Sequence, residues 1–220
     1  MKIIEIGKDQ EIKIKTNHDG SKTIEIRDKD KDRLGNLKPG EHFKIADWDF
    51  IVLQHNERGT LVISNNLLAE NEKFGETRNY KESNVKKAIE EKLLPVVEDA
   101  VGKNNIIEHY VKLTSVDMQN EFGDVKCRMR PISFDEARKY NNFLVNKELS
   151  DWYWTLTPWS TEERAWKYSL AAVSPSGGFA TTTTAATTAS GCAHSVSFHL
   201  NSLNQGKNNG NNGFASHIKS

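Results

Sequence analysis

Apolar and polar positions alternate along much of this chain with a period of two, the spacing that sends successive side chains to opposite faces of a strand. Ile12 and Ile14 alternate with polar neighbours, Asn17-His18-Asp19-Gly20 supplies turn chemistry, and Thr23, Ile24 and Ile26 resume the pattern. Residues 11–27 therefore read as a hairpin, because the glycine of Asp-Gly accepts the positive φ that the turn requires. Asp28-Lys29-Asp30-Lys31-Asp32-Arg33 breaks the pattern with mixed charge. It lacks the glycine and distal glutamate of a calcium loop, reads as a solvated linker, and sets a boundary near residue 36.

Pro39-Gly40 opens the main domain. Phe43, Ile45, Trp48, Phe50, Val52 and Leu53 form an extended stretch interrupted by Asp47 and Asp49, and Leu61-Val62-Ile63 forms another, with a hairpin connection between Gln54 and Thr60. Asp47 and Asp49 could share a strand face, but a turn or edge between strands accounts for them. The period then changes. Ser83 can cap a helix from Asn84, with Val85, Ile89 and Leu93 four apart, and Pro95 should end or kink it near Leu94. Val96 to Val101 adds a short second turn stopped by Gly102. Ile106 to Leu113 alternates as a strand. Ser133 and Glu136 form a capping box for a second helix with Ala137, Tyr140 and Phe143 or Leu144 inward.

Trp152, Trp154 and Leu156 fall on one side of the next strand and Tyr153 and Thr155 on the other, making it the anchor of the core. Trp159, Trp166 and Tyr168 follow Pro158 and read as less buried. Tyr168 to Val173 and Val196 to Leu200 give two further short strands, with a turn at Ser174-Pro175-Ser176-Gly177-Gly178. From Tyr168 to Gly206 there is no Asp, Glu, Lys or Arg, and within that run Phe179 to His194 is made of small residues and threonines. Surface segments normally carry charge, so an uncharged, small-residue run beside a tryptophan strand points to a surface that meets another molecule. The plain alternative is a threonine-rich strand pair or loop. The tail around Asn208-Asn209-Gly210-Asn211-Asn212-Gly213 is too polar to fold unaided.

Composition narrows the choice of function. The 220 residues carry 30 basic and 30 acidic side chains, so no overall field draws in nucleic acid or an acidic membrane. No apolar run would span a bilayer, and Met1 to Lys8 lacks the core of a secretory signal, so synthesis in a cytoplasm is expected. Cys127 and Cys192 lie in no Cys-x-x-Cys setting and read as free thiols. Lys126, Arg128 and Arg130 alternate as a small basic stripe, read as a solvated edge rather than a nucleic-acid contact. Their flanking charges do little for Cys127, since alternate side chains point away from it. His194 and His199, five apart, make a poor metal pair.

The order of signals resembles a known family. Gly40-Glu41-His42-Phe43 and Trp48-Asp49-Phe50-Ile51-Val52-Leu53 come first, then Ser83-Asn84-Val85-Lys86-Lys87, Ser133-Phe134-Asp135-Glu136-Ala137 and Trp152 to Ser160. Ala171 to Gly177 and Phe198-His199-Leu200-Asn201-Ser202 close the series. Over residues 37–202 this is similar to a widespread domain of Firmicute and bacteriophage proteins, related to the C-type-lectin-like fold of formylglycine-generating enzymes and of the variable proteins of diversity-generating retroelements. Ala193 to Ser197 departs from the Gly-Val-Arg-Pro that usually precedes the last strand. Every residue from Gly177 to His199 belongs to the palette that retroelement diversification produces, which implies a variable surface. Glu-Pro-Asn and Trp-Asn-Asp, the signatures of calcium-dependent sugar binding, are absent from the sequence, and no motif of the cysteine oxidases occurs.

The expectation is an α+β protein. A hairpin and charged linker occupy 1–36, a C-type-lectin-like domain of mixed or antiparallel sheets with two main helices occupies 37–202, and a flexible Asn/Gly-rich tail occupies 203–220. Its expected role is recognition of a host-surface protein or glycan by a phage- or prophage-encoded protein, with the virion as one destination. The expected face is Trp159, Tyr168, Ser174, Ser176, Thr181, Thr183, Thr187, Ser190 and His194, with no catalytic residue, metal, cofactor, nucleic acid or membrane insertion. The alternatives are an intracellular inhibitor of a host enzyme or defence system, and an enzyme on a formylglycine-generating-enzyme-like scaffold.

Overall fold

The computed structural model describes residues 10–17, 19–28, 34–68, 73–149, 152–183 and 196–200. The first hairpin forms as its pattern requires, with β1 (Gln10–Thr16) antiparallel to β2 (Lys22–Asp28). Gly20 sits at φ +79°, its amide donating to Asn17 O at 3.0 Å, and Asp19 accepts from the Ser21 amide and hydroxyl.

Leu34 packs into the core of the body, followed by β3 (His42–Ile45), β4 (Trp48–Asn56) and β5 (Gly59–Ser64). Ala46 and Asp47 form the tight turn of the β3–β4 hairpin, so the apolar stretch around Trp48 folds back on itself. Asp49 is tied to His42 Nδ1 at 3.0 Å and Asn65 Nδ2 at 2.8 Å. Phe50, Ile51, Val52 and Leu53 are buried in succession, which requires cover on both faces of the sheet. Phe50 and Val52 enter one core with Val62, Phe198 and Trp154; Ile51 and Leu53 enter a second with Ile63, Tyr140 and Tyr153.

Helix α1 (Asn84–Ala88) starts where Ser83 Oγ accepts from Lys86 N at 3.1 Å. Pro95 does not end the helical run. One wide π turn, Ile89–Leu93, takes up the missing donor, Leu94 N bonding Ile89 O, and α2 (Leu94–Val101) continues to Gly102. Val85, Ile89, Leu93 and Val97 lie in the first core. Ser83→Ala is expected to lower stability by about 1 kcal/mol, read as a shifted urea midpoint with unchanged slope.

Ile106 to Leu113 divides in two: β6 (Ile106–Ile107) joins the large sheet, while β7 (His109–Lys112) pairs with β8 (Asp124–Cys127). After β9 (Met129–Arg130), the capping box at Ser133 and Glu136 starts α3 (Phe134–Lys139), and α4 (Asn141–Leu144) follows. The remaining strands are β10 (Tyr153–Pro158), β11 (Ser169–Val173), β12 (Phe179–Thr183) and β13 (Ser197–Leu200). Among the described residues the large sheet runs β3-β4-β5-β13-β6, with β9 also on β13, and a separate sheet runs β10-β11-β12. All these pairings are antiparallel, so the chain is a mixed α+β protein with mostly antiparallel sheets and few, short helices.

Candidate functional site

Strand β10 is buried along its whole length and carries the outward strands of its sheet. Trp154 and Leu156 enter the first core and Tyr153 the second, while Thr155 Oγ1 donates to Ala171 O at 2.7 Å. In β12, Ala180 and Thr182 are half-buried opposite Ala172 and Leu170, and Phe179, Thr181 and Thr183 alternate with them as exposed residues. Of the uncharged run, only alternate positions of β12 thus face outward among the described residues; β11 and β13 within the same run are buried. Phe179 leans on Phe134 of α3, ring centroids 5.2 Å apart.

The structure divides the expected face in two. Trp159 N donates to Ser169 O at 2.9 Å, and Ser169 pairs with Thr183, so Trp159, Tyr168 and Thr183 share one end of the sheet. Ser174 and Ser176 lie in the turn at the other end of β11, about 17 Å away by strand rise. Ser174 is not a surface group: it is buried, and its hydroxyl accepts from Gly178 N at 2.8 Å to close the β11–β12 turn. Ser176 is exposed and hydrogen-bonds that same hydroxyl. Thr187, Ser190 and His194, like Cys192, lie outside the described residues.

Around Trp159 the structure adds groups that the sequence pattern did not mark. Trp159 and Trp166 are 6.3 Å apart by centroid. Asp117 accepts from Ser115 Oγ, Ser160 Oγ at 2.6 Å and Arg164, and the two serine bonds followed by Arg164 hold its carboxyl down at about 2. This clasp joins loop 115–119 to loop 159–168. Arg78, itself buried, braces the second loop by donating to Lys167 O and pairing with Glu121. Met118 (φ +64°) and Ala165 (φ +65°) adopt a conformation that costs a non-glycine residue of order 1 kcal/mol. Met118 is 73% exposed, Trp166 40% and Tyr168 49%, so the strained turns hold apolar side chains in water. Only tertiary proximity brings Met118 to this end, which is why no local signal found it.

The basic stripe is dismantled. Lys126 pairs with Glu108 and Arg128 with Glu98, and Arg130 is buried at 3% exposure beneath β13. Arg130 makes a two-pronged pair with Glu136, at 2.6 and 2.7 Å, and donates to Pro131 O and Ser197 Oγ. His199 and His109 stack edge to face above it at 5.0 Å. Burial presses both imidazoles below the usual histidine range, helped at His109 by Arg130, and at His199 by His109 and then Arg130, taking His199 to about 4. Burial also lifts Cys127 to about 11, leaving it a protonated core thiol rather than a nucleophile. With both imidazoles neutral and Arg130 held by Glu136, this cluster ties β13 to β9 and α3.

Among the described residues no three His, Cys, Asp or Glu side chains converge to hold a metal ion, and no helix is long and apolar enough to cross a membrane. Comparison of the chain with protein-family models, curated proteins and solved structures gives no match.

Proposed function

We propose that this chain is a non-catalytic recognition protein of phage or prophage origin, built on a C-type-lectin-like domain, whose ligand is a protein or glycan of the host surface. The observation that carries the reading is the pairing of exposed Trp166 and Tyr168 with the outward threonines of β12 on a sheet anchored by buried Trp154. Rings contribute contact area at low entropic cost, and small threonines can vary without disturbing the packing beneath them. The uncharged segment that follows β12 in the sequence has the residue palette that diversification produces.

The test immobilises the purified chain and exposes it to host envelope and host lysate. A single specific partner is expected, lost at least tenfold in a Trp166→Ala/Tyr168→Ala variant whose unfolding midpoint is unchanged. Equal retention of that partner by the variant, or retention of none by either protein, sinks the reading.

A further inference from the structure

Strands β7 and β8 form a two-stranded ribbon that pairs with no other strand among the described residues. It docks on the body through buried Val111, Val125 and Cys127, while Tyr110, Lys112, Asp124 and Lys126 alternate with them in solvent. Its tip holds one half of the clasp: Val116 N donates to Pro158 O at 2.9 Å, and Asp117 binds Ser160 and Arg164. Its root is His109. Arg130 Nε reaches His109 Nε2 at 3.5 Å, and His109 Nδ1 faces Ile107 O at 3.2 Å, so a neutral ring with its proton on Nδ1 serves both. His109 also covers His199 edge to face, and Nδ1 of His199 is buried without a hydrogen-bond partner.

We infer that the ribbon is an acid-released arm: protonation of His109 and His199 undocks β7 and β8 and withdraws the Asp117 half of the clasp from loop 159–168. A second proton on His109 turns its one acceptor into a donor aimed at the Arg130 guanidinium, so donor meets donor and cation meets cation. His199 has no acceptor waiting at Nδ1 for a second proton. The charges around the two rings are Arg130 of β9, Arg58 of the β4–β5 turn and Glu136 of α3, with Cys127 opposite His109 on β8 as a neutral thiol. The pairs Lys126–Glu108 and Lys86–Glu90 beside Cys127 are already closed. Two of the three charges are cations, and Glu136 is already held by Arg130, so the balance disfavours an imidazolium while the ribbon is docked. Undocking wets both rings and relieves that cost. Asp117 keeps its charge throughout, its carboxyl being held at about 2, so the clasp is not itself the sensor. Burial of Val111, Val125 and Cys127 keeps the arm docked at neutral pH.

Native-state hydrogen exchange on the full chain, with urea kept below the unfolding midpoint, tests this at pH 7.5 and pH 5. The amides of β7 and β8 are expected to exchange through an opening that barely depends on urea, because it exposes little surface. That opening should grow about thirtyfold at pH 5, the linkage of one imidazole whose pKa rises from about 4 to about 6.5 on wetting. The amides of β4 and β5 keep the full urea slope of global unfolding at both pH values. In His109→Gln/His199→Phe, where glutamine still offers Arg130 an acceptor, the arm should open equally at both. Ribbon amides that share the urea slope of β4 and β5 at pH 5, an opening in the native chain that ignores pH, or a double variant that keeps the thirtyfold rise overturns the proposal. Exchange needs no partner, so it stands or falls apart from the capture experiment. Only the arm's effect on recognition rests on the proposed function: at pH 5 the native chain should hold the captured partner at least tenfold less tightly than the double variant. Equal retention by the two overturns that link.

Discussion

Glu136→Gln is expected to destabilise the protein by about 3–5 kcal/mol, because it strands a charged guanidinium in the interior. Arg130 has no water to turn to, and its prongs go to the Glu136 carboxylate. The same carboxylate accepts from Ser133 N at 2.9 Å and Ser133 Oγ at 2.8 Å, so one side chain both caps α3 and neutralises the charge under β13. Urea unfolding at pH 7 measures the loss, and Arg130→Met added to Glu136→Gln should return most of it by removing the unpaired charge. A loss under about 1 kcal/mol would mean that the pair behaves as a solvated surface pair. The sign with pH follows from the carboxyl's environment. Burial pushes its pKa up, but Arg130 and the Ser133 hydrogen bonds outweigh this and hold it at about 2. The stabilisation is therefore complete above the unfolded value near 4.5 and is lost as pH falls from there toward 2.

His199 governs a different pH window. It is buried, and its pKa of about 4 lies below the unfolded value near 6.5. Above pH 6.5 both states carry a neutral ring and the group has no effect on stability. As pH falls from 6.5 to 4 the unfolded chain takes up a proton that the folded chain refuses, costing about 3 kcal/mol in all. His109, shifted the same way, adds to the loss. Urea midpoints between pH 7.5 and 4.5 should fall steeply in the native protein and much less in His199→Phe, which keeps a ring against His109. Because Glu136 acts below pH 4.5, the two effects separate along the pH axis. An imidazole resonance of His199 that titrates near pH 6.5 would end this account.

Both effects come from residues whose roles were only half legible in the chain. The Ser133–Glu136 box was readable because capping is set by a spacing of three, yet the same spacing says nothing of Arg130, which approaches Glu136 only after β9 has paired with β13. Arg130 looked like one of three alternating cations because alternation defines a face only while a strand continues. Here the strand breaks at Arg128, and each cation meets its own acid. Ser174 belongs to an uncharged, small-residue run that reads as surface, but a turn needs an acceptor for its closing amide, and Ser174 supplies it. Pro95 was a sound stop signal in a free helix. The burial of Leu93 and Val97 on either side of it holds the run together through a π turn.

What the amino-acid order determined by itself is local. It set the Asp-Gly turn and the register of the first hairpin, the two serine caps, the tryptophan strand and its alternation, and the absence of charge along β12. Each follows from interactions within about five residues or from a strict period of two, which any chain carrying those residues must express. Tertiary structure decided which of those pieces share a surface. It tied the loop carrying Met118 to the loop carrying Trp166 through Asp117, moved Ser176 a strand's length from Tyr168, and buried Arg130 of β9 with His199 of β13. Those outcomes depend on contacts between residues tens of positions apart, whose cost in chain entropy is met only when the whole core closes at once.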